Sequence, residues 1–195
     1  MKGIIAQKIG MTNFICPETG KVTAVTLCAV PENKILQIKT VEKDGYSAAV
    51  LAAFERKKNF KNVGKKFKMI REIFIDENDN FKKDEKISLK ILENLEKIKI
   101  TGISKGRGFA GVIKKYNFSR GPETHGSHHH REPGSVGMCA KPARILKGKK
   151  MPGRHGGKKT TIISKIVKFD FVNNLIALKG AVPGAKKSFI FLREK

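Results

Sequence analysis

Apolar residues along this chain recur mainly with a period of two, the spacing that sends successive side chains to opposite faces of a strand. Lys21-Val22-Thr23-Ala24-Val25-Thr26-Leu27-Cys28-Ala29-Val30 alternates and is rich in β-branched residues, and Lys34-Ile35-Leu36-Gln37-Ile38-Lys39 follows after Pro31-Glu32-Asn33, a turn signal. The run from Tyr46 to Phe54 comes after a second turn signal, Lys43-Asp44-Gly45, and suggests a hairpin-like meander. Further strands are predicted from Met69 to Ile75, Ile98 to Ser104, Thr160 to Phe169, Leu175 to Leu178 and Ser188 to Leu192, with Asn173-Asn174 as a turn between two of them. Ile87 to Leu95 fits either a strand or one or two helical turns. Many short strands with turn punctuation predict a mainly β fold, a small barrel or sandwich. No internal repeat of fixed period is present.

Alternation stops between residues 101 and 159. That stretch holds 12 of the 19 glycines, 4 of the 7 prolines and all five histidines, with few apolar residues to bury, so it cannot build a core of its own. The predicted organisation is a globular β body, residues 1–100 and 160–195, carrying a long, basic, glycine-rich extended loop, residues 101–159. Within the loop, Phe109, Val112, Ile113 and Tyr116 fall at i, i+3, i+4 and i+7. A short helix near 109–116 is therefore predicted, with Lys114 and Lys115 pointing away from its apolar face.

Charge changes this picture from architecture to partner. Forty-one Lys and Arg stand against seventeen Asp and Glu, a formal net charge of +24. Residues 101–159 have 14 basic and 2 acidic side chains, so half the net charge lies in less than a third of the chain. Such self-repulsion favours a chain that lives against a polyanion, and nucleic acid is the first candidate. A membrane partner is not expected: there is no basic amphipathic helix or lipid anchor, and no apolar run approaches the roughly 18 residues of a span. The N-terminus has no apolar segment of signal-peptide length, which makes a cytoplasmic location the expectation. Cys16, Cys28 and Cys139 are odd in number and include no Cys-x-x-Cys pair, which argues against a disulfide framework or a cysteine-built zinc site. Cys28 reads as core, the other two as loop.

The candidate binding residues lie in three segments. In Ser104-Lys105-Gly106-Arg107-Gly108-Phe109-Ala110-Gly111 the glycines leave backbone N–H groups open to phosphate oxygens, and Lys105, Arg107, Lys114 and Lys115 supply charge. The Gly-Lys-Ser/Thr ending of a P-loop is absent, so no nucleotide cofactor or small-molecule substrate is implied. Next, Arg120, His125, His128, His129, His130 and Arg131 are interleaved with small residues. Flanking cations oppose a divalent ion here, and only Glu123 and Glu132 are acidic, so no metal is expected. Ser127 beside His128 has no orienting acid and does not make a catalytic pair, and no catalytic residue is assigned. Imidazoles stack on bases and donate to phosphate or ribose, which suits a path between RNA strands. Gly134-Ser135-Val136-Gly137-Met138 leads to the third segment, where Lys141, Arg144, Lys147, Lys149, Lys150, Arg154, Lys158 and Lys159, with His155, are broken up by Gly and Pro. These cations would set affinity for crowded phosphates more than sequence preference.

At these residues the chain closely resembles the large-subunit ribosomal protein L-three family in its bacterial form. The resemblance runs through Gly10-Met11-Thr12, Gly102-Ile103-Ser104-Lys105-Gly106-Arg107-Gly108-Phe109-Ala110-Gly111, Ser127-His128 with His130-Arg131, Gly134-Ser135-Val136-Gly137, Lys147-Gly148-Lys149-Lys150-Met151-Pro152-Gly153 and Lys179-Gly180-Ala181-Val182-Pro183-Gly184. It implies a translation-protein-type β-barrel on the subunit surface near the 3′ end of the large rRNA, with the arm running inward toward the peptidyl transferase centre. Gly134, Gly137 and Met138 would then lie near the arm's tip. It also implies a role in early subunit assembly and contact with neighbouring large-subunit ribosomal proteins. Met138 stands where some bacterial relatives have a methylated glutamine, so that modification is expected to be absent. The run His128 to His130 and the segment from Asn62 to Lys68 also look particular to this chain.

Overall fold

A computed structural model describes residues 2–18, 20–55, 66–75 and 81–194; residues 62–65 of the segment singled out above lie outside these. The fold is mainly β. Six antiparallel strands close into a ring: β1 (Gly3–Ile15), β2 (Val22–Ala29), β7 (Lys97–Ile103), β10 (Lys159–Asp170), β11 (Leu175–Lys179) and β12 (Phe189–Glu194), in the order β1-β12-β7-β10-β11-β2. A four-stranded antiparallel sheet contains β3 (Asn33–Lys39), β4 (Ala48–Glu55), β5 (Phe67–Phe74) and β6 (Lys86–Ile87), in the order β5-β4-β3-β6. Two short strands, β8 (Phe109–Ala110) and β9 (Gly153–Arg154), pair with each other alone. The chain divides into one compact unit formed by residues 1–104 and 159–195 and a second formed by residues 105–158.

Alternation explains the ring. On β7, Ile98 and Ile100 are fully buried while Lys97 and Ile103 face out, and Ile190 and Leu192 on β12 and Ile176 and Leu178 on β11 supply further inward side chains. Each such side chain contributes about 1.5–3 kcal/mol by leaving water. Strand β1 breaks the pattern: Gly3, Ile4, Ile5 and Ala6 are buried in succession, because the four-stranded sheet packs on the face that the ring does not use. Without alternation and with Gly10 beside a bulge, this strand gave no period-two signal and was not predicted.

Two other readings need correction. The predicted meander forms only as the β3–β4 hairpin; β2 and β3 do not pair, and the turn at Pro31 carries the chain from the ring to the second sheet. There Asn33, fully buried, bonds both backbone groups of Ile5, accepting from its N–H at 2.9 Å and donating to its carbonyl at 3.1 Å. The second concerns Phe109. It lies on β8, 81% exposed, so the helix α2 begins only at Val112 and ends at Tyr116, with Val112 as its buried residue. The turn signal before Tyr46 is a single helical turn, α1 (Val41–Asp44), ended by Gly45 in the left-handed region. The ambiguous stretch after Ile87 contains one 3-10 turn, Leu89–Leu92.

Candidate nucleic-acid interface

Residues 105–158 hold thirteen basic and two acidic side chains, and among them only Ala110 and Val112 are buried apolar residues. Backbone hydrogen bonds, not a core, organise this unit. Its two ends run antiparallel: Phe109 pairs with Arg154 and Ala110 with Gly153, the Arg107 N–H donates to the His155 carbonyl at 2.9 Å, and the His155 N–H donates to the Gly108 carbonyl at 2.9 Å. Gly156, with φ +72°, lets the backbone pass against the Lys105 carbonyl, a place a Cβ would occupy. Farther along, the Gly121 N–H donates to the His130 carbonyl at 3.1 Å, and a Cβ on Gly121 would meet the His129 carbonyl. These two close approaches are the physical reason for glycine at both positions.

The candidate side chains divide by what they touch. Lys105, Arg107, Lys114, Arg120, His125, His128, His129, His130, Arg131, Lys141, Arg144, Lys147, Lys149, Lys150, Arg154, Lys158 and Lys159 are all exposed, while His155 is half-buried. Lys115 does not stand clear of the helix as the helical spacing suggested. It is half-buried, its Nζ donates to the Met151 carbonyl at 3.4 Å, and it lies 5.0 Å from the centre of the Tyr116 ring. Lys150 approaches the same ring at 5.9 Å.

Both acids of the unit are engaged. Glu123 meets Arg120 at 3.5 Å and Glu132 meets His129 Nδ1 at 2.7 Å, so carboxylates offset little of the charge. His130 Nδ1 lies 2.9 Å from the Pro122 carbonyl, and Arg107 Nη1 lies 3.4 Å from His155 Nε2. The histidines thus serve in part to shape the backbone that displays the cations. Gly137 and Met138 border a half-open hollow of about 280 Å³ together with Arg144, Leu146 and Lys149; Met138 is 71% exposed, and Gly134 stands just before it at φ +73°. Among the described residues, no group of three or more His, Cys, Asp or Glu side chains is placed to hold a metal ion.

The profile of the family described as ribosomal protein L3 matches residues 37–173. The chain is 44% identical to the large ribosomal subunit protein uL3 of Thermosipho melanesiensis, over 99% of this chain and 98% of that protein. The chain belongs to the ribosomal protein L3 family. The proteins of the same name in Fervidobacterium nodosum and Oceanobacillus iheyensis are each 42% identical, covering 99% and 97% of this chain and 98% and 95% of theirs. As an L3-family protein the chain has a structural, non-enzymatic role in the large ribosomal subunit and in translation, within the ribosomes of the cytoplasm.

Sequence reasoning concentrated on residues 101–159 and passed over cations elsewhere. Lys97, Lys99, Lys165 and Arg193 lie on strands of the ring, and the alternation of Lys97-Ile98-Lys99-Ile100 already places both lysines on one face.

Proposed function

We propose that this L3-family chain binds large-subunit rRNA near the 3′ end, with residues 105–158 as an arm that threads between RNA strands toward the peptidyl transferase centre. The observation that carries this reading is the unit's make-up: thirteen cations on a backbone with almost nothing buried. A segment of this kind has affinity for crowded phosphates and little folded stability without them. Lys105, Arg107, Lys114, Lys141, Arg144, Lys147, Lys149, Lys150, Arg154, Lys158 and Lys159 neutralise phosphates. His125, His128, His129, His130, His155, Arg120 and Arg131 pack where strands come close, Lys115 braces the arm's helix, and Gly134, Gly137 and Met138 form the tip. On this reading the six-stranded ring is a translation-protein-type barrel that seats the arm, supports early subunit assembly and touches neighbouring large-subunit proteins.

Sucrose-gradient fractionation of native lysate at moderate and high salt, following the chain by mass spectrometry, tests the proposal. A threaded arm keeps the chain with large subunits through a salt wash that strips peripheral factors. Release at modest salt would overturn the threaded arm.

A further inference from the structure

The ring carries a second basic surface outside residues 105–158. Strand register places Lys97 directly opposite Lys165, and Lys99 opposite both Ile163 on β10 and Arg193 on β12. Next along the same face Thr101 lies opposite Thr161, their hydroxyls 3.1 Å apart, and Ile103 lies opposite Lys159. Like charges set directly across antiparallel strands repel, so Lys97 with Lys165 and Lys99 with Arg193 each cost the free protein stability. Nothing among the described residues relieves them. No ion pair reaches any of these four side chains, no Asp or Glu occupies an outward position on β7 or on β10 from Lys159 to Lys165, and the buried Arg193 Nε has no hydrogen-bond partner.

The four-stranded sheet shows the opposite habit. Lys34 meets Asp84 at 2.8 Å, Lys39 meets Glu72 at 2.8 Å, and Lys86 meets Glu32 at 2.7 Å. Three of the four lysines on its strands thus have a carboxylate partner. On the face of β7 and β10, none of Lys97, Lys99 and Lys165 has one among the described residues.

We propose that this face is a second RNA-contact surface, gripping the sugar–phosphate backbone of an A-form RNA helix by shape. Lys97 and Lys99, roughly 7 Å apart along β7, and Lys165, about 5 Å across from Lys97 on β10, face phosphates, and the hydroxyls of Thr101 and Thr161 beside them match ribose 2′-OH groups, the contacts by which duplex RNA is recognised. Phe191, outward on β12, packs half-buried against the core and offers no platform for an unstacked base. The inference rests on the rRNA-binding reading above and adds a site the arm does not include.

The test compares the full-length chain with K97Q/K99Q/K165Q and with an arm variant, K147A/K149A/K150A, binding transcribed large-subunit rRNA across a salt series, with hydroxyl-radical footprinting. The ring variant is expected to lower the magnitude of the slope of log K against log salt by about 2–3. It is also expected to lose protection at a set of duplex nucleotides that the arm variant still protects. Its melting temperature without RNA should equal or exceed that of the parent chain, which separates lost contacts from lost folding. An unchanged slope and footprint would overturn the second surface, and so would failure of this variant only in the presence of another subunit protein. If the unmodified chain fails to bind the rRNA at all, the primary reading falls instead.

Discussion

Lys8 is the least expected residue in the body, a lysine only 7% exposed inside the ring. Its Nζ donates to the Val182 carbonyl at 2.7 Å and to the Gly184 carbonyl at 3.1 Å, tying down the loop between β11 and β12. Lys8→Met keeps the side-chain length but leaves both carbonyls without this donor. The expected loss is about 2–3 kcal/mol, read as a lower urea midpoint with an unchanged slope. The same pocket governs thiol chemistry. Burial pushes the Cys28 thiol up to about 12, only partly opposed by the Lys8 charge, so it stays protonated and shielded near neutral pH. Cys139, by contrast, is exposed. At pH 8 iodoacetamide is therefore expected to label Cys139 readily and Cys28 only after unfolding, with peptide mass spectrometry as the readout. Cys28 labelled at the same rate in the native chain would contradict this placement.

At the scale of elements, the two sheets meet where Asn33 takes the place of a strand neighbour for Ile5. Asn33→Ala leaves buried backbone groups unmatched and is expected to lower stability by about 2–4 kcal/mol, measured by thermal or urea unfolding. The second sheet also titrates. Hydrogen bonds from Lys39 and then Tyr46 hold the Glu72 carboxyl below its ordinary value, and Lys34 does the same for Asp84. A depressed folded-state value means the contribution is present above the ordinary carboxylate range and is lost as pH falls through the folded-state value. The melting temperature should therefore decline below roughly pH 4. Because these groups are exposed, added salt should flatten the decline; a salt-independent acid transition would point to another group.

How far these elements were legible depends on their surroundings. Strands β11 and β12 contain short apolar runs, Leu175 to Leu178 and Phe189 to Leu192, whereas β2, β7 and β10 have one face in the ring and one toward solvent over much of their length, so their sequences alternate. Strand β1, covered on both sides at Ile4 and Ile5, does not. Residues 101–159 stand out in the sequence as a separate, basic, glycine-rich stretch from composition alone, because few apolar residues there could build a core. Their internal contacts do not: the turn of Lys115 onto Tyr116 and Met151, and the pairing of His129 with Glu132, depend on where the backbone folds back. That Lys97 on β7 faces Lys165 on β10 depends on register across a gap of more than fifty residues in sequence, which no local pattern states.

For the molecule as a whole, that same register fixes how the arm is joined to the body. Ile103 at the end of β7 lies directly opposite Lys159 at the start of β10, so residues 105–158 form an insertion at what would otherwise be a β-hairpin turn. The body's own pairings, β1 with β12, β12 with β7 and β2 with β11, require nothing from the insertion. Replacing residues 105–158 by a short Asn-Gly-containing turn suits the twist of two antiparallel strands. It also removes thirteen cations against two acids, and so relieves self-repulsion in a chain of net charge +24. The shortened protein is expected to fold with the parent's β-type circular dichroism, to melt at an equal or higher temperature at low salt, and to gain less from added salt, since screening relieves mainly like-charge repulsion. In the same preparation its retention on large subunits through a high-salt wash should be lost. A shortened body that failed to fold would mean that the arm supports the ring. One that folded and still withstood the wash would move the anchor from the arm to the ring, where Lys97, Lys99 and Lys165 have no carboxylate partner among the described residues.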